Sequence, residues 1–230
     1  MTNDKLTGQQ SLELITSMIQ KAKGGVNDNG TGALLWGTVV TVAGILGFVK
    51  YNISPHYNWL DPWLLCVFAL IPQIFLTIQE KKAKKLVKQY DTELLDAVWT
   101  VYGLSIFMMV AYFNLVGFAA KENYIAIGKT VQLKNLTTGE IVDNYYNTYS
   151  SMSLLILLFC IPTLITGIGK KNKPMLYGGI LSVIFFSVSL FTNTMWDNLL
   201  AGLTGLFNWF IPGLYMRKEY LKARKTNTHV

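Results

Sequence analysis

The sequence predicts an all-α integral membrane protein: six transmembrane helices, arranged as three tandem helical hairpins, with both termini cytoplasmic. Three observations carry that expectation. Six apolar runs contain no Asp, Glu, Lys or Arg. The basic residues crowd the segments that would share one side of a bilayer. An Ile-Pro pair recurs inside every second run.

The runs are Ala33–Val49, Pro62–Ile78, Ala97–Ala120, Met152–Ile168, Met175–Thr192 and Leu199–Met216, each 17 to 24 residues long. A helix needs about 20 residues to cross a bilayer core, with a working range of about 17–25. Lipid cannot satisfy free backbone N–H and C=O groups, so such runs are expected to be helical. Composition agrees. Charged residues are 14% of the 230, and mean hydropathy is +0.33. Roughly 25% charged residues is usual for a soluble chain. These values argue against a disordered chain and a coiled coil, and two cysteines cannot build a disulfide framework.

Orientation follows from Lys and Arg placement. Lys50, Lys121, Lys129 and Lys134 fall on one side, 4 in all, and the other side holds 16. The richer side is read as cytoplasmic. The net charge of +7 is therefore a signature of the inner leaflet rather than of nucleic-acid binding. The expected partners are the lipid bilayer and its anionic headgroups at the cytoplasmic face, with room for a membrane-protein partner or a homo-oligomer. The expected location is the cell inner (plasma) membrane. Tyr51, Tyr57, Trp59, Trp63 and Trp196 would lie near the outer ends of the spans, and Trp36, Trp99 and Tyr215 near the inner ends.

Residues 1–32 read as a leader. Thr7 and Gln10 can form a capping box, Leu12, Ile15, Ile19 and Ala22 recur at helical spacing, and Gly24-Gly25 closes the helix. This is either an interfacial helix lying flat on the inner leaflet or a plain helical leader. No basic-then-apolar start occurs, so no cleavable signal peptide is expected. Residues 33–216 form the membrane domain. Within it, Lys81–Leu95 is expected to continue the second span helically, with its Lys run facing headgroups. The outer loop, residues 121–151, is long. Tyr124–Leu133 and Ile141–Tyr145 are strand-like and Thr138-Gly139 can turn between them, which predicts a small hairpin. Residues 217–230 are a basic cytoplasmic tail.

The repeat is threefold. Ile71-Pro72, Ile161-Pro162 and Ile211-Pro212 each precede a basic cluster, and Trp36-Gly37, Tyr102-Gly103 and Tyr177-Gly178 mark the odd spans. Each proline lacks an N–H and frees the carbonyl four residues earlier, at Phe68, Leu158 and Asn208. Pro72, Pro162 and Pro212 are thus candidate kinks or hinges. Gly37, Gly44 and Gly47 of the first span, and Ala201 with Gly205 of the last, allow close backbone approach.

Catalytic patterns fail one by one. The spans hold no acid, base or histidine, and Asp96 and Asp197 read as lying just outside their ends. His56 and His229 are far apart, and Cys66 and Cys160 have no His partner and read as core thiols. Gly128-Lys129-Thr130 lacks the earlier glycine of a phosphate loop. No catalytic, cofactor-binding or metal-binding set is expected, and so no enzyme. Gln73, Asn114 and Asn208 lie inside the spans. They could line a polar cavity or hydrogen-bond between helices. The first functional expectation is a non-enzymatic membrane scaffold, sensor or accessory subunit. The alternative is a channel or facilitator for a small neutral or lipid-like solute, built on the kinked helices with Gln73 and Asn208.

Several segments occur together: Ser11–Lys23 leading into Leu34-Leu35-Trp36-Gly37, Thr166-Gly167 through Lys173-Pro174 to Tyr177-Gly178-Gly179-Ile180, and Phe210-Ile211-Pro212-Gly213-Leu214-Tyr215. As a set this resembles a family of uncharacterised multi-span membrane proteins from Bacteroidetes-type bacteria. The resemblance covers most of the chain except the outer loop. It implies a bacterial inner-membrane location and no catalytic residue.

Overall fold

The structure is a computed structural model and describes residues 29–53, 60–83, 90–145 and 151–227. The expected leader helix, part of the first outer loop and part of the Lys81–Leu95 segment lie outside the described residues. Helix α1 spans Thr31–Ile53, α2 Leu64–Ala83, α3 Tyr90–Ala126, α4 Ser151–Gly169 and α5 Lys173–Ser189. Helix α6, Thr194–Gly205, runs without a break through a π turn, Leu206–Phe210, into α7, Ile211–Asn227. Four rods are long and apolar enough to cross a membrane: Thr31–Ile53, Leu94–Ala126, Ser151–Gly169 and Thr194–Lys225. Leu64–Gln79 and Lys173–Ser189 are shorter apolar helices.

Local chemistry sets the helix ends. Asn29 Oδ1 accepts from the Thr31 N–H at 2.9 Å where α1 begins. Asn193 Oδ1 accepts from the Trp196 N–H at 3.3 Å and starts α6 ahead of the apolar run. At the end of α4 the Asn172 N–H donates to Gly167 O at 2.9 Å and the Lys171 N–H to Ile168 O at 3.2 Å. Lys171 takes the left-handed conformation that this motif requires (φ 51°). Asn172 then caps α5 by accepting from the Met175 N–H at 3.3 Å. One residue thus closes one helix and opens the next.

Helix α3 is longer than its charge-free run and corrects the expected strand over Tyr124–Leu133. Nothing between Lys121 and Ala126 breaks a helix, so the strand-like residues there stay helical. The stop comes at Gly128 (φ 68°), with the Lys129 N–H on Tyr124 O at 2.8 Å. The hairpin itself forms with shorter strands, β1 Gln132–Lys134 and β2 Ile141–Asp143. They pair antiparallel, Gln132 opposite Asp143 and Lys134 opposite Ile141. Asn135 Oδ1 accepts from the Thr137 N–H at 2.9 Å, and Gly139 turns the chain (φ 75°).

The two closest pairings are α4 with α5 and α1 with α6. Helix α2 rests on α1 and α3 on α4, so both are peripheral. The α1–α6 seam is built from glycine. A Cβ on Gly44 would strike the backbone of Gly202, and one on Gly37 the backbone of Phe210. A Cβ on Gly47 would lie 2.5 Å from Asn198 Oδ1, and one on Gly205 2.7 Å from Val40 Cγ1. Gly37, Val40, Gly44 and Gly47 recur at helical spacing, so they form one ridge that the last rod meets antiparallel. Beside the seam lies an aromatic core. Trp209 sits 5.0 Å from Phe159, 6.2 Å from Tyr102 and 6.3 Å from Trp99 between ring centroids.

Candidate functional site

The buried polar groups gather around the π turn. In an α-helix the N–H at position 212 would bond Asn208 O, but Pro212 has no N–H and its ring crowds that carbonyl. The chain takes up the conflict by widening one turn, so the Ile211 N–H bonds Leu206 O, five residues back. Gly178 of α5 presses on Phe207 from one side and Gly37 of α1 on Phe210 from the other. Neither position has room for a side chain.

Asn208 is 0% exposed. The Ser182 hydroxyl donates to Asn208 Oδ1 at 2.8 Å, and Asn208 Nδ2 donates to Phe159 O at 3.3 Å. Thr163 Oγ1 donates to the same Phe159 carbonyl at 2.8 Å and accepts the Trp209 indole N–H at 3.1 Å. The Cys160 thiol donates to Gly179 O at 3.4 Å. Helices α4, α5 and the π turn are therefore tied by bonds that lipid cannot replace.

Indole donors link the rest of the bundle. Trp36 Nε1 donates to Gln73 Oε1 at 3.0 Å, joining α1 to α2. Trp99 Nε1 donates to Thr166 Oγ1 at 3.1 Å, joining α3 to α4. Trp63 Nε1 donates to Asn198 Oδ1 at 2.8 Å, joining the start of α2 to α6.

The residues singled out in the sequence occupy three environments. Pro162 and Pro212 are fully buried, whereas Pro72 is exposed. Gln73 is half-buried between Trp36 and Thr77, whose hydroxyl accepts from Gln73 Nε2 at 3.2 Å. Asn114 is exposed on α3, and its Nδ2 donates to Val110 O at 2.7 Å. The structure joins Asn208 to the buried prolines' helices but does not bring Gln73, Asn114 and Asn208 together.

Asp197 corrects its sequence reading. It lies in the first turn of α6, because Asn193 caps the helix earlier than the apolar run suggests. It is 0% exposed. Thr192 Oγ1 donates to its Oδ1 at 2.5 Å, while Oδ2 is buried with no hydrogen-bond partner. The signal that could have found it is its helical spacing with Ala201, Thr204 and Asn208, a stripe that is buried throughout. Replacing Thr192 by Val leaves both carboxylate oxygens without a side-chain donor. That should cost about 1–3 kcal/mol. Equal unfolding midpoints for Thr192→Val and the parent in a denaturant series would contradict it.

Among the described residues, a concavity of about 380 Å³ runs along α7 between Leu214 and Leu221 with Arg217, Lys218, Lys222 and Lys225 around it. A smaller one, about 50 Å³, lies among Gly47, Lys50, Asp61, Trp63 and Asn198. Among the described residues, no three His, Cys, Asp or Glu side chains group as metal ligands do. The chain matches no family model, no curated protein and no solved structure.

Proposed function

We propose that this chain is a six-span, non-enzymatic scaffold or accessory subunit of a bacterial inner membrane. It would form three hairpins with both termini cytoplasmic. The observation that carries the reading is the closed interior: helix backbones meet through glycine at Gly37, Gly44 and Gly178, and the buried amide of Asn208 spends both its oxygen and nitrogen on neighbouring helices. Such an interior suits a part that holds others in place better than a solute path. Gln73, Asn114 and Asn208 stand apart, which weighs against the facilitator alternative.

The groove along α7 gives the reading its contact with the membrane. Its apolar floor and four cations match an acyl chain beneath an anionic headgroup. Each basic residue near such a surface contributes about 1 kcal/mol. Changing Arg217, Lys218, Lys222, Arg224 and Lys225 together to Gln should therefore weaken assembly or reverse the orientation of the tail. Protease access to a C-terminal tag on sealed vesicles reads the orientation. Co-purification from native membranes reads the assembly. An unchanged orientation with an unchanged partner set would count decisively against the proposal.

A further inference from the structure

Helix α3 is the rod least held by its own chain. Among its described side chains only Leu95 is buried, and Trp99, Tyr102 and Ile106 are half-buried against the aromatic core. At 37 residues it is about 55 Å long, against a hydrocarbon core of about 30 Å. Gly103, Phe107, Val110, Asn114 and Gly117 share an arc of about 80° on it. Phe107 is 71% exposed, and a Cβ on Gly103 or Gly117 would meet nothing within 4 Å.

Asn114 is the anomaly on this face. It lies six residues inside the charge-free end at Ala120, roughly 9 Å deep. One Nδ2 proton goes back to Val110 O. Among the described residues its Oδ1 meets no donor and its second Nδ2 proton no acceptor. Acyl chains supply neither, so the amide carries an unmet hydrogen-bonding demand inside lipid.

We propose that this face of α3 binds α3 of a second copy of the chain, with the two Asn114 carboxamides bonded to each other. A carboxamide is its own complement, being donor and acceptor at once. Copies inserted in one membrane share an orientation, so a twofold axis along the membrane normal brings identical residues together at equal depth. Only an identical chain is bound to offer an amide at that depth. Gly103 and Gly117, one on either side, let the two helices approach closely. The proposal rests on reading α3 as a membrane span.

The test uses the full chain, with Cys66 and Cys160 changed to Ala, in phospholipid vesicles. Single cysteines replace Gly117, Val110 or, as a control about 120° around the helix from Asn114, Met108. Oxidation should give a covalent dimer of the chain through Gly117→Cys and Val110→Cys, and none through Met108→Cys. Asn114→Leu should lower the Gly117→Cys dimer yield about tenfold, and Asn114→Gln should keep it. Equal yields at all three cysteines, or a yield indifferent to Asn114→Leu, would overturn the pairing. If no cysteine cross-links and membrane-impermeant maleimide fails to reach Gly117→Cys, the pairing falls while the span reading stands. If the maleimide labels it freely, both fall.

Discussion

Replacing Gly44 by Leu should pry α1 from α6 and cost about 3 kcal/mol or more. Overpacking a well-filled interior commonly costs about 1–3 kcal/mol, because neighbouring side chains can shift aside. At Gly44 the obstacle is the backbone of Gly202, which cannot rotate away. The whole seam would have to open, taking with it the contacts of Gly37, Val40 and Gly47. Val42→Leu is the control on the same helix, since Val42 is 40% exposed on the side opposite the glycine ridge. Substitutions at such positions usually change stability by less than about 0.5 kcal/mol. Unfolding of both variants in mixed micelles of rising SDS fraction, followed by far-UV circular dichroism, makes the comparison. Equal midpoints would mean that the seam contributes nothing to stability.

Trp209→Ala should be as damaging for the opposite reason. Trp209 is buried against Phe159, Tyr102 and Trp99 and donates to Thr163. Truncating a buried Trp costs about 3–5 kcal/mol, much of it in the void left behind. That void is enclosed by protein, so acyl chains cannot fill it and its lining loses dispersion contacts outright. Trp209→Phe separates the two contributions. It keeps a ring in the cluster and loses the indole N–H, worth about 0.6–1.7 kcal/mol in membrane proteins. The same SDS series should place Trp209→Phe well above Trp209→Ala. If the two coincide, the hydrogen bond rather than the ring cluster holds α3 and α4 to the π turn.

Much of this architecture is legible in the residues. The absence of charge over six runs marks the helices. The limits of those runs do not set the helix ends, because α3 continues past Ala120 until Gly128 offers a left-handed stop. The β-hairpin between α3 and α4 is visible in the Thr138-Gly139 turn, although its strands are shorter than their apolar character suggests. Gly37, Gly44 and Gly47 announce a close approach, and Gly205 is one of its mates, but Gly202 emerges only when the two rods are laid together.

The threefold repeat is only partly expressed in packing. Gly37 and Gly178 both press on the π turn, whereas Gly103, at the matching position, faces outward. The same split runs through the prolines, with Pro162 and Pro212 buried and Pro72 exposed. A proline predicts where a helix must yield but not how. Here the turn widens where the Asn208 side chain bonds Ser182 and Phe159, both distant in sequence. No local pattern records that meeting.

The glycine seam also sets an order of events during biosynthesis. Gly44 and Gly202, which meet in the finished bundle, lie 158 positions apart. At about 5–20 residues per second, the ribosome needs roughly 8–30 s to make the second after the first. The tight turn at Lys171–Asn172 lets α4 and α5 close locally in far less time. Throughout that interval the glycine ridge of α1 stands without its mate. A chain stalled before Thr194 keeps it bare, and so carries on its first rod a visible mark of incompleteness.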